Sequence, residues 1–118
     1  MDGWITLHRK MLEWEWYDDI PTCRLFVHLL LRANFKKCQW HGQTINEGEL
    51  ITSIGSLSEE TGLTIKQVRR ALDNLKTTGE IGTRRADKGQ CITIRNYGIY
   101  QAYEKPKGQE KGKKRATV

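Results

Sequence analysis

An α+β fold, mainly α, is predicted by three features of this sequence: capping-box patterns at Ser56 and Thr64, a glycine just past each helix they open, and two β-rich runs flanking a turn signal near residue 87. The chain has 118 residues, the size of one compact domain, which excludes a large multi-domain enzyme. Hydrophobic residues make up 37%, with four Trp and only two Pro, enough for a core and too much for a disordered chain. The folded domain is expected over 1–103. Residues 104–118, where Lys alternates with Gly, Pro and Gln, read as a basic, disordered tail.

In the N-terminal segment Trp4, Ile5, Leu7, Met11, Leu12, Trp14, Trp16 and Tyr17 form a dense apolar set, and the spacing of Leu7, Met11 and Trp14 suits one face of a short helix. Asp18 and Asp19 precede Pro21, an acid-then-proline helix start, and this helix is expected to run to about residue 37. Leu25, Phe26, Leu29, Leu30 and Ala33 form its stripe, and Val27 and Leu31 carry the apolar surface nearly all round. A helix of that girth is either central or meets a second chain. A polar connection containing His41, Gly42 and Gly48 follows, then a short strand at Glu49, Leu50, Ile51 and Thr52.

Ser56-Leu57-Ser58-Glu59 fits a capping box, in which the Ser oxygen takes the N3 backbone N–H and the Glu reaches back to the N-cap. This short helix is expected to end at Gly62. Thr64-Ile65-Lys66-Gln67 repeats the box with Leu63 and Val68 as a hydrophobic staple, and Ile65, Val68, Ala71, Leu72 and Leu75 line one side of a helix that stops at Gly79. Residues 81–85 and 90–94 then read as strands around Ala86-Asp87-Lys88-Gly89. Strand, helix, turn, helix, hairpin is the order of a winged helix-turn-helix, here with an N-terminal helical extension and a small β-hairpin wing.

In a helix-turn-helix the second helix can lie in the major groove of DNA. At 100° per residue its apolar set occupies one arc, with Lys66, Arg70, Asp73 and Thr77 opposite and Gln67, Arg69 and Asn74 on the flanks. Arg bonds guanine bidentately, Asn and Gln pair with adenine, and Lys neutralises phosphate, so Thr64, Lys66, Gln67, Arg69, Arg70, Asn74 and Thr77 are the candidate DNA contacts. A solvated face is the alternative for the arc, and the capping box is the alternative employment of Gln67. Arg84, Arg85 and Lys88 on the hairpin either reach the DNA backbone or protect a sheet edge from aggregation. The tail's lysines read as a nucleic-acid arm or as a soluble linker.

Other chemistry finds little footing. Cys38 and His41 are metal-compatible in spacing, but a structural zinc site needs four ligands and Cys23 and Cys91 stand alone, so no metal is expected. His8 and His28 read as ordinary packed or surface histidines. No nucleophile elbow, phosphate loop, HExxH or paired acid site occurs, so neither a catalytic residue nor a cofactor is expected. Three unpaired cysteines and no leader-like N-terminal run suit a reducing cytoplasm, and the apolar run over 25–31 is far short of the roughly 20 residues of a membrane span.

The segments Glu49-Leu50-Ile51-Thr52-Ser53, Leu57-Ser58-Glu59-Glu60-Thr61-Gly62-Leu63, Val68-Arg69-Arg70-Ala71-Leu72 and Leu75-Lys76-Thr77-Thr78-Gly79-Glu80-Ile81 resemble the winged-helix domains of phage replisome organisers and the N-terminal domain of DnaD-like primosomal proteins. So do Gly3-Trp4-Ile5-Thr6-Leu7-His8-Arg9-Lys10 and Glu13-Trp14-Glu15-Trp16-Tyr17, and the likeness spans about 3–103. The resemblance implies a phage-derived or bacterial DNA-binding protein of replication initiation, with double-stranded or single-stranded DNA, a helicase or its loader as partners. In that family the same domain also serves self-association, here through the helix bearing Leu25 and Leu31. Two alternatives stay open: an oligomerisation scaffold and a transcriptional regulator.

The net charge of +6 is unevenly spread, with −3 over 1–63, +5 over 64–103 and +4 over 104–118. An acidic helical half joined to a basic half suits a DNA-facing module, and equally an acidic face meeting a basic one between subunits.

Overall fold

Backbone caps decide where each helix of this chain begins. In the computed structural model, which describes residues 4–34, 36–86 and 89–97, the elements are α1 (Ile20–Arg32), β1 (Cys38–Trp40), β2 (Gln43–Ile45), β3 (Glu49–Thr52), α2 (Ile54–Thr61), α3 (Ile65–Thr77), β4 (Ile81–Ala86) and β5 (Gly89–Ile94). They form an α+β fold. The tail at 104–118, Asp87 and Lys88 lie outside the described residues.

Asp19 caps α1, its Oδ1 accepting from the Thr22 N–H at 3.1 Å, and Pro21 sits in the first turn as expected. The helix ends at Arg32, however, short of the expected residue 37. Asn34 donates its N–H to the Glu49 carbonyl at 3.0 Å and accepts from Gly48 N–H at 2.8 Å, so pairing with the start of β3 replaces the next helical turn. Leu25, Phe26, Leu29 and Leu30 are buried in the chain's own core, which accounts for most of the apolar girth and leaves Leu31 and Ile20 exposed.

The N-terminal segment forms a five-residue 3-10 helix, Arg9–Glu13, rather than an α-helical face through Leu7, Met11 and Trp14. The reason is tertiary. Trp14 donates its indole N–H to Glu80 Oε2 and Trp16 donates to Thr78 Oγ1, each at 2.9 Å, so both rings reach the same end of α3. In an α-helix side chains two apart diverge by about 200°. Trp14 also tilts against Phe26 at 5.1 Å. Trp14→Phe keeps an aromatic body there and leaves Glu80 Oε2 without this donor. The expected cost is about 1 kcal/mol, or a fall in Tm of about 4–8 °C; an unchanged melting curve would show the bond contributes nothing net.

The polar connection after α1 contains a hairpin that patterning does not anticipate. β1 and β2 pair antiparallel with Trp40 opposite Gln43, and the turn residues His41 (φ 48) and Gly42 (φ 77) take the left-handed conformations of a type I′ turn. β3 falls where expected. α2 starts earlier than its capping-box pattern suggests: Ser53, not Ser56, is the N-cap and accepts from the Ser56 N–H at 3.1 Å. With Ser56 at N3, the Ser56–Glu59 pair lies inside the helix. Gly62 closes it in the left-handed conformation, φ 82.

α3 is specified as read. Thr64 and Gln67 make both bonds of the capping box, and Leu63 packs against the core. At the other end Gly79 N–H meets the Lys76 carbonyl and Glu80 N–H the Leu75 carbonyl, the paired bonds of a Schellman stop with Gly79 at φ 85.

Strand order in the larger sheet is β3-β5-β4, all antiparallel, with Leu50 opposite Ile92 and Ile81 opposite Ile94. Leu50, Ile81, Ile92 and Ile94 face the helices, where Leu25, Leu29, Leu57, Val68, Ala71 and Leu75 complete one core. α1 is clamped to α2 on its outer side: Glu60 Oε1 receives His28 Nε2 at 2.8 Å and Arg32 Nη1 at 2.6 Å. Hydrogen bonding from His28, with Arg32 adding to it, holds the Glu60 carboxyl below the usual carboxylate range. A lowered folded-state value means that this stabilisation is complete above the ordinary Glu range and is lost as pH falls through the lowered value. A Tm-against-pH series of Glu60→Gln should therefore lose part of the acid limb below about pH 5. An unaltered limb would remove Glu60 from it.

Candidate nucleic-acid interface

Because Val68, Ala71, Leu72 and Leu75 sink one face of α3 into the core, the opposite face is held rigidly outward. Lys66, Arg69, Arg70, Asp73 and Thr77 are all exposed there, with Thr64 and Gln67 exposed at the N-terminal end. Lys66 and Arg70 stand one turn apart, on the same strip of helix surface. Among the described residues no carboxylate lies within ion-pair distance of Lys66, Arg69 or Arg70, whereas Asp73 is paired with Lys76 at 3.8 Å. The lone acid of the arc is thus offset by a neighbour on its own helix.

Three of the candidate contacts are engaged inside the molecule. The Gln67 side chain accepts from the Thr64 N–H at 2.9 Å, which gives it the capping role. Asn74 is half-buried, and its Nδ2 donates to Thr22 Oγ1 at 3.0 Å, tying α3 to α1. Arg84 lies 3.7 Å from Glu49, a nearly buried carboxylate that also accepts from the Asn46 N–H at 2.8 Å and the Thr93 hydroxyl at 3.3 Å. Arg84 therefore partners a structural acid. Arg85 is exposed on the β4–β5 hairpin opposite Gln90, and Lys88 lies outside the described residues.

Arg70 has an acidic neighbourhood that helical plotting alone does not reveal. It lines a groove of about 440 Å³ with Asp18, Asp19, Ile20, Pro21 and Gln67, where the start of α1 meets α3. Lys66 and Arg69 are not among the groove's lining residues. A second exposed cluster, Lys36, Lys37 and His41 with half-buried Trp40, lies on and beside β1–β2. The charge summed over 1–63, net −3, hides it; the signals were the acid-free run around Lys36 and Lys37 and the two-residue His41-Gly42 turn between short runs containing Trp40 and Ile45.

Among the described residues no three His, Cys, Asp or Glu side chains converge as a metal site, and no helix is long and apolar enough to cross a membrane. Burial pushes the Cys23 and Cys91 thiols up, with Glu49 adding to the effect at Cys91 and Arg84 opposing it. Compared with protein-family models, curated proteins and solved structures, the chain gives no match.

Proposed function

We propose that this chain is a winged-helix DNA-binding protein that lays α3 in the major groove, with β4–β5 as its wing. The observation that carries this reading is the cation set Lys66, Arg69 and Arg70, exposed and unpaired among the described residues, on a helix whose other face is fixed in the core. The element order and the β3-β5-β4 sheet support the winged-helix assignment. Lys66 and Arg69 meet phosphate or guanine, Arg70 reads from beside the acidic groove, and Thr64, Thr77 and Arg85 touch the backbone at the ends of the footprint. Gln67, Asn74 and Arg84 position the fold instead.

The resemblance carried by Glu49-Leu50-Ile51-Thr52 and the segments after it favours a phage-derived, cytoplasmic protein of replication initiation, with a helicase or its loader as partner. Duplex binding titrated against salt tests the DNA reading. About 4 to 6 phosphate contacts give a log–log slope of roughly −4 to −5, and the slope should survive removal of 104–118. Binding that disappears with the tail overturns it.

A scaffold role is the second reading, favoured by one observation: Trp4, Leu7 and Leu12 are exposed at 76%, 46% and 63% on the N-terminal segment. A tight oligomer indifferent to DNA, seen by light scattering, would select it.

A further inference from the structure

No side chain of the β1–β2 hairpin is employed in the proposed duplex contact. We propose that it is a second nucleic-acid site, one that takes an unpaired base on the Trp40 and His41 rings and the adjoining phosphates on Lys36 and Lys37. Its ligand class is a single strand, DNA or RNA.

Four observations converge on this hairpin. Trp40 and His41 form an aromatic corner, with ring centroids 4.2 Å apart and planes at 86°. The turn that holds them is tight, with left-handed φ at both His41 and Gly42, and the strands behind it are braced by a Gln39 Nε2 to Thr44 Oγ1 bond at 2.9 Å and anchored by buried Ile45. A platform already rigid loses little freedom when a base stacks on it.

Trp40 is also unlike the tryptophans that build the fold. Trp14 and Trp16 pack against the main core and donate their indole N–H groups to Glu80 and Thr78. Trp40 is half-buried, packs outside that core, and its indole N–H has no hydrogen-bond partner among the described residues. Charge adds the fourth observation: residues 33–46 contain Lys36 and Lys37 and no acid, within a stretch, 1–63, that is net −3. Lys36, Lys37, Gln39, His41 and Thr44 are all exposed.

An aromatic corner beside cations matches unpaired nucleic acid because every base offers a stacking face and the strand offers regularly spaced phosphates. In a duplex those faces are already stacked, so the corner would find no partner without the cost of opening a step.

The test uses the full chain and a labelled oligothymidylate, with the matching oligouridylate in parallel, read by fluorescence anisotropy at low salt. Trp40→Ala is expected to weaken strand binding about 5- to 100-fold, the range of one lost base stack, while Trp40→Phe stays close to the parent. Lys37→Glu, at an exposed position remote from the core, should weaken it at least about tenfold, and keeps the proposal testable if Trp40→Ala does not fold. Lys66→Ala with Arg70→Ala should weaken duplex binding far more than strand binding, and Trp40→Ala the reverse, so failure of the α3 reading and failure of this one are separable. Binding of either oligonucleotide with this mutational pattern supports the site, and a preference for one sugar identifies the strand. Binding to neither, equal binding by Lys37→Glu and the parent, or binding that vanishes only with residues 104–118 overturns it.

Discussion

Replacing Lys66 and Arg70 together by Ala is expected to weaken duplex DNA binding by about 10- to 200-fold and to make the salt slope shallower by about one to two. Both side chains are exposed, one turn apart on α3, and free of carboxylate partners among the described residues. Neither supports the core, so the thermal transition should move little, within about 0.5 kcal/mol of stability. That pairing of lost affinity with unchanged melting separates a contact role from a structural one. Anisotropy with a labelled duplex, beside a melting curve of the same preparation, reads both. Undiminished binding by the double variant would sink the recognition-helix reading. Arg84→Ala has the opposite signature: stability falls, because nearly buried Glu49 loses its cation, while any change in DNA affinity is secondary.

The largest stability effect is expected at Gly89. It opens β5 with φ 110, and a Cβ placed there would stand 2.3 Å from the Thr52 carbonyl oxygen, a backbone atom that cannot swing away. Gly89→Ala thus combines left-handed strain with a clash that pushes β5 off β3, at a cost of about 3 kcal/mol or more. Gly62 supplies the control. Its φ of 82 is equally left-handed, but a Cβ there meets nothing within 4 Å, so Gly62→Ala should cost only about 1–2 kcal/mol. Chemical denaturation of the two variants measures the difference. Equal losses would mean that strain alone matters and that β3 and β5 do not approach so closely at Thr52.

The candidate interface was only partly legible in the sequence. Lys66, Arg69 and Arg70 could be placed because the helical period and the buried Val68, Ala71, Leu72 and Leu75 jointly fix which way α3 faces. The same plot put Asn74 on a flank without revealing that Thr22 takes its amide, and put Arg84 on a strand without revealing Glu49 across the sheet. Nor did it bring Asp18 and Asp19 into the groove beside Arg70. Charge type is written in the chain, whereas charge pairing depends on which elements meet.

What the sequence by itself determined are the features whose partners lie near one another along the chain. The Thr64–Gln67 box, the Gly62 and Gly79 stops, the Asp19 and Pro21 start and the β4–β5 hairpin all follow from local hydrogen bonds and backbone permissions. Only the tertiary structure decided the rest. α1 stops at Arg32 because Asn34 finds Glu49 and Gly48, and the N-terminal segment tightens into a 3-10 turn because Trp14 reaches Glu80, 66 positions away. Ser53 rather than Ser56 caps α2 where the chain leaves β3, although both serines sit ahead of helix-forming residues. A short apolar or polar run has several local conformations of similar energy, and the choice among them falls to the distant groups that satisfy its hydrogen bonds and bury its side chains.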